Sequence, residues 1–262
     1  MKTKNLIVAF ICCLLVGYSI HSFAIEKQDR NVTSFTKVSV SGGIDLYLTQ
    51  GNTLSVSIET EKDILDKIET KVENGTLIIK LKKGEKINWR SYKGKLTLIA
   101  HVSAPTIEHV QGSGGSDIYP QTPINTNGNF GITLSGGADL KNATINAKNI
   151  EMKLSGGSDA KQFTANATTF IAQISGGSDI DNATVNAPDI NIQQSGGSDA
   201  KLNVNCERLD VRASGGSDLT LSGKTNTITV NASGASDIKA SNFSYESSDI
   251  NKSGSADVKL RK

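Results

Sequence analysis

Aspartate closes the five-residue motif Ser-Gly-x-x-Asp eight times between Ser113 and Asp257. The copies are SGGSD at 113, 155, 175, 195 and 214, SGGAD at 135, SGASD at 233 and SGSAD at 253, in steps of 22, 20, 20, 20, 19, 19 and 20 residues. A ninth copy, SGGID at Ser41–Asp45, stands isolated far upstream. Rows of carboxylates are hard oxygen ligands that attract Ca²⁺. Glycine-aspartate repeats of another β-roll class hold calcium, at a period of about nine residues. The step of about twenty here does not match that geometry, so Asp139, Asp159, Asp179, Asp199 and Asp218 are only secondary calcium candidates. Two carboxylates ~4.8 Å apart in water repel by under ~1 kcal/mol. One backbone N–H given to a carboxylate contributes ~1.5–3 kcal/mol. The column is therefore expected to stand without metal, each Asp bonded to an amide and facing solvent.

Other reactive residue types give less. Asn146, Asn166, Asn186 and Asn205 fall at one position of the repeat and suit an amide ladder. Cys206 aligns with Ala147, Ala167 and Ala187, which makes it a small buried filler rather than a nucleophile. His101 and His109 have no cysteine neighbours, no zinc spacing and no obvious paired carboxylate. No catalytic, cofactor or metal residue is assigned. Trp89 and Arg90, in the basic stretch KKGEKINWRSYKGK, are the weak candidates for ligand contact; the plainer reading is a solvated loop tip.

The elements that position these residues follow from spacing. Counted back from each motif serine, position −5 holds Ile150, Phe170, Ile190, Leu209 and Ile228, and position −3 holds Met152, Ala172, Ile192, Val211 and Val230. Position −1 holds Leu154, Ile174, Gln194, Ala213 and Ala232. A period of two marks a strand with one apolar face. A second inward pair stands at −10 and −8, as in Ile145 and Ala147, and a third inward position follows the Asp, as in Leu140 or Ile180. One such unit cannot bury its apolar face alone, whereas stacked units can. The chain is therefore expected to be all-β, a right-handed parallel β-helix with ~20 residues per flattened or three-sided coil. The glycine pairs are expected to turn its corners with φ > 0. Residues 31–110 lack the repeat; five alternating segments there read as strands, EKDILDKIE as a brief helix, and Gly51-Asn52 and Asn74-Gly75 as hairpin-like turns. This irregular region is expected to pack on the first coil and cover its open end.

Residues 1–24 read as a signal peptide, with Lys2 and Lys4 before an apolar run and cleavage expected after Ala24. Subtracting those two lysines leaves 26 basic and 26 acidic residues, formally neutral, which argues against a nucleic-acid surface. Only Cys206 remains after cleavage, so no internal disulfide can form. The expected organisation is residues 25–110 as the irregular β region and 111–262 as the repeat, continuous as one structural domain, with no transmembrane segment after cleavage.

FTKVSVSGGIDLYLTQ, followed by TLSVSIETEKDILDKIE and the SGG-D repeats, resembles the auto-transporter adhesin head domain family, also called the GIN domain or DUF2807. The resemblance covers almost all of the chain after Ala24. It implies a right-handed β-helix in a secreted or envelope protein and brings no catalytic residues with it. The expected function is an adhesin-like binding module without catalysis, located in the periplasm, on the outer-membrane surface or outside the cell. Its expected partners are glycans or other envelope components. A polysaccharide lyase or hydrolase on a β-helix is the enzymatic alternative; it would need a cleft made by loops that break the repeat. A purely structural envelope protein is the third.

Overall fold

The computed structural model describes residues 24–92 and 95–260. The expected signal peptide lies outside the described residues, except for Ala24. The chain winds into a flattened coil with two facing sheets, one of fifteen strands and one of eleven. Each repeat contributes a strand ahead of its motif serine to the eleven-stranded sheet, as in Asn149–Ser155, Thr169–Ile174 and Asp189–Gln194. After the Ser-Gly corner the chain crosses into the other sheet, as in Ile180–Asn186 and Asp199–Asn205. Neighbouring coils pair in parallel, with equivalent residues in register: Ile150 opposite Phe170, Phe170 opposite Ile190, Ile190 opposite Leu209.

Register sends every inward position to one core. Ile150, Met152 and Leu154 are buried, as are Leu209, Val211 and Ala213. Phe163 and Phe170 stack inside, ring centroids 6.3 Å apart. Cys206 is buried among these columns, and burial pushes its thiol pKa up. The fourth motif residue also points inward: Ser116, Ser158, Ser178, Ser198, Ser217 and Ser236 are fully buried.

The variable step has a local cause. Asn142, Gln162 and Asn182 stand three residues after their motif Asp at φ of 55°, 54° and 53°. Each inserts one left-handed residue into the strand that follows the corner. The next coil omits it, and pairing slips by one residue between Ile180 and Ala183. That omission is the step from 20 to 19. Asn242, at φ 52°, restores a residue in the last 20-residue step.

The upstream SGGID is not isolated. Lys37–Ser41 pairs in parallel with His109–Ser113, setting Ser41 opposite Ser113. Asp45–Gln50 likewise pairs with Ile118–Pro120. The intervening chain runs out to the far side of this rung and returns. Thr76–Leu81 and Leu98–Ala104 add a further parallel rung beyond it. Outside that rung the strands Ile68–Glu73, Ser55–Glu61 and Ile25–Asp29 are antiparallel, with the short helix Lys62–Leu65 between the first two. They cover the end of the coil, as expected. Asn74-Gly75 is a tight hairpin turn, at φ 50° and 71°. Gly51-Asn52 is not, because Leu98–Ala104 lies between the two strands that it connects.

Candidate binding surface

The corner residues form ladders. Asp159, Asp179 and Asp199 each donate their backbone N–H to the carboxylate of the Asp one coil earlier, at 3.1, 3.1 and 2.9 Å. A lysine two residues after many of the aspartates supplies counter-charge. Lys161 reaches Asp159 at 2.8 Å and Asp139 at 3.2 Å, and Lys141 bonds Asp117. The bond to Asp159 raises the Lys161 pKa against its burial. Lys201 turns to Asp181 instead, at 3.4 Å. Burial, then Asp179 and Asp218, raise the Asp199 pKa. Among the described residues no three or more His, Cys, Asp or Glu side chains gather as a metal site. The Asp-x-Lys spacing at Asp139, Asp159, Asp199, Asp237 and Asp257 is the sequence signal for this counter-charge.

Three of the four expected asparagines link, and the ladder extends one coil earlier, but Asn205 is exposed and does not join it. Asn146 donates to Asn125 at 2.7 Å, Asn166 to Asn146 at 2.7 Å and Asn186 to Asn166 at 2.8 Å.

The glycine pairs divide. The first glycine of every motif has positive φ. The second does so at Gly43, Gly115, Gly137 and Gly157, but not at Gly177, Gly197 or Gly216. Gly115 N–H donates forward to Gly136 O at 3.1 Å, whereas Gly197 and Gly216 donate backward to Gly176 O and Gly196 O at 2.9 and 2.8 Å. The corner peptide is thus reversed in the later coils. Ala235 and Ser255, which replace the second glycine, sit in the later half and donate backward in the same way. Between the halves, Ser178 Oγ accepts the N–H groups of Gly157 and Ser158 at 3.3 and 3.2 Å.

His101 does have a carboxylate partner, contrary to the sequence reading. Its Nε2 lies 2.8 Å from Glu59 Oε2, across 42 residues of chain. The same outer face carries Tyr47 stacked on Tyr119, centroids 5.1 Å apart, with His101 5.6 Å from Tyr47. Lys141 Nζ stands 5.4 Å above the Tyr119 ring. These rings cover one another's faces, so they brace the rungs more than they offer a stacking platform. In the basic loop, Ile87 and Tyr92 are buried, which anchors it. Trp89 is 49% exposed and lies over Gly43, where an added Cβ would stand 3.1 Å from its ring. Arg90 beside it is exposed.

Two grooves run along the outer face of the eleven-stranded sheet. The first, about 610 Å³, surrounds His109, whose ring fills the space above Gly131. Burial, then Lys37, lower the His109 pKa, while Glu151 opposes them. The second, about 520 Å³, follows the Ser175–Ser195–Ser214 column beside Gln193 and Arg212. Both are shallow and parallel to the stack. No helix of the described residues is long and apolar enough to cross a membrane.

A family described as "Putative auto-transporter adhesin, head GIN domain" matches residues 34–205 and 173–262. A crystal structure described as a putative adhesin from Bacteroides fragilis is similar at a TM-score of 0.70 and 17% identity, covering 92% of this chain and 98% of that one. A second, described as a putative adhesin from Parabacteroides distasonis, gives 0.73 and 16%, covering 90% and 97%. A third from P. distasonis, described as a putative lipid binding protein, gives 0.63 and 16%, covering 90% and 97%. Identities this low speak for the fold alone. Comparison with curated proteins gives no match.

Proposed function

Because the chain belongs to the auto-transporter adhesin head GIN domain family, we propose that it is an exported, non-catalytic surface module that binds extended polymers of the cell envelope. Glycans are the foremost class. One observation carries this reading: the outer columns of the eleven-stranded sheet continue in register from coil to coil, with shallow grooves running along them. Such a surface offers an outward side chain at the same spacing on every rung, which suits an extended polymer. Hydrolysis or elimination would instead call for a carboxylate pair or a metal base inside a cleft. Two of the structural relatives are described as putative adhesins, in keeping with a binding role, and a third as a putative lipid binding protein.

The test uses purified protein on a panel of immobilised bacterial and host polysaccharides, with retention and newly formed sugar ends read together. Retention without new ends is expected. New sugar ends would overturn the non-catalytic reading, and no retention on any polymer would overturn the glycan reading.

A further inference from the structure

The two outer grooves differ in charge. The groove at His109 mixes Lys37 with Glu108 and Glu151. The groove at Ser195 is lined by one formally charged residue, Arg212. Arg212 is exposed and has no ion pair or hydrogen bond among the described residues. Arg208, on the same strand, is by contrast committed to Asp189 at 2.7 Å. Around Arg212 the lining is polar and neutral. Gln193 is oriented by its Nε2–H bond to Asn191 at 3.1 Å, which leaves its carbonyl oxygen as an acceptor. Ser175 and Ser214 donate their hydroxyl protons to the carbonyls of Leu154 and Gln194, at 3.3 and 3.4 Å. Both hydroxyls line the groove, and their oxygens keep lone pairs that can accept. Asn231 adds a carboxamide one coil further along.

We propose that this groove is a binding site for a linear polysaccharide bearing carboxylates, with Arg212 holding a uronate carboxylate. The proposal rests on the binding-module reading and names its ligand class. The chemistry fits group by group. A planar guanidinium takes a carboxylate through two parallel N–H bonds. The serine and glutamine acceptors take sugar hydroxyl donors, and the carboxamide of Asn231 meets either. One polar side chain per coil lines up at the same register position, Gln173–Gln193–Arg212–Asn231, so the polymer axis lies along the stack.

The experiment measures retention of purified protein by polygalacturonate and by neutral dextran, for the unaltered chain, Arg212→Gln and Arg208→Gln. Polygalacturonate should retain the unaltered chain, and dextran should not. Arg212→Gln should weaken retention about 10-fold or more, the range of one charge-assisted pair. Arg208→Gln should leave it within about twofold, since that charge is already paired. Equal binding by Arg212→Gln and the unaltered chain, equal loss in both variants, or no retention of polygalacturonate would each overturn the proposal. A neutral polymer retained equally by all three proteins would sink this site and leave the binding-module reading standing. Silence across the whole polysaccharide panel would sink both. Thermal melts of both variants should match the unaltered chain, which separates lost binding from lost folding.

Discussion

The corner glycines allow a graded test of how tightly the coils stack. Gly197 lies outside the left-handed region, and a Cβ there would meet nothing within 4 Å. Gly137 has φ 81° and equally open surroundings. Gly196 also has φ 81°, but its Cβ would stand 2.7 Å from Gly176 O and 3.0 Å from Gly176 N. Alanine at 197 should be neutral or stabilise by up to ~1 kcal/mol, by restricting the unfolded chain. Alanine at 137 meets only the left-handed penalty of roughly 1–2 kcal/mol. Alanine at 196 adds a clash with backbone of the preceding coil, which cannot turn aside as a side chain can. Overpacking of that kind adds ~1–3 kcal/mol, for a total near ~3 kcal/mol. At ~2–4 °C per kcal/mol for a domain of this size, Gly196→Ala should melt about 6–12 °C lower and Gly137→Ala about 2–8 °C lower. Far-UV circular dichroism melts of the three variants side by side provide the reading. If Gly196→Ala melts no lower than Gly137→Ala, the coils do not touch at the corner as described, and the steric reasoning fails.

Other consequences can be checked in the same way. Ser178→Ala strands the N–H groups of Gly157 and Ser158 and should cost ~1–3 kcal/mol. Ser198→Ala removes a buried hydroxyl that has no partner and should be neutral or stabilising; denaturant unfolding of the pair would contradict this if the order were reversed. Asp199 has a raised pKa in the fold, so the fold prefers its protonated form. That preference adds stability below the ordinary carboxylate pKa and is lost as pH rises through the raised value. Asp199→Asn should therefore raise Tm at pH 7, with a gain that shrinks as pH falls below the ordinary carboxylate range; a gain that grows on acidification would refute the sign.

Much of the architecture was legible because it is local and repeated. Positions −5, −3 and −1 gave the eleven-stranded sheet, since each inward residue there lies under an equivalent one. The asparagine ladder was legible for the same reason. The left-handed insertions were not, because an asparagine or glutamine in a polar stretch looks ordinary until its φ is known. Their trace was the change of step from 20 to 19. The rung formed by residues 37–50 was hidden by the chain between Gln50 and His109, which leaves the stack and returns. Tyr47, Tyr119, His101 and Glu59 meet only through that non-local pairing, so neither the aromatic stack nor the histidine's carboxylate had a sequence signal. Arg212 looked like any alternating surface residue; its lack of a partner is visible only when Arg208 is seen bonded to Asp189.

The reversed corner peptide bears on how such a chain can lengthen. Up to Gly157 the second corner residue adopts positive φ, and a side chain there would be strained. From Gly177 onward the same position tolerates alanine or serine, as Ala235 and Ser255 illustrate. Coils are therefore interchangeable within a half but not between halves. A tandem copy of the Ser195–Ser214 coil, inserted beside itself, meets neighbours of its own polarity. The same copy placed among the early coils sets corners of opposite polarity against each other: its own Ser198 stands like Ser178 to accept the opposed amides on one side, but on the other side corner carbonyls face carbonyls with no donor between them. Growth by duplication is thus channelled to the later half, where substitutions at the second corner position are already in place.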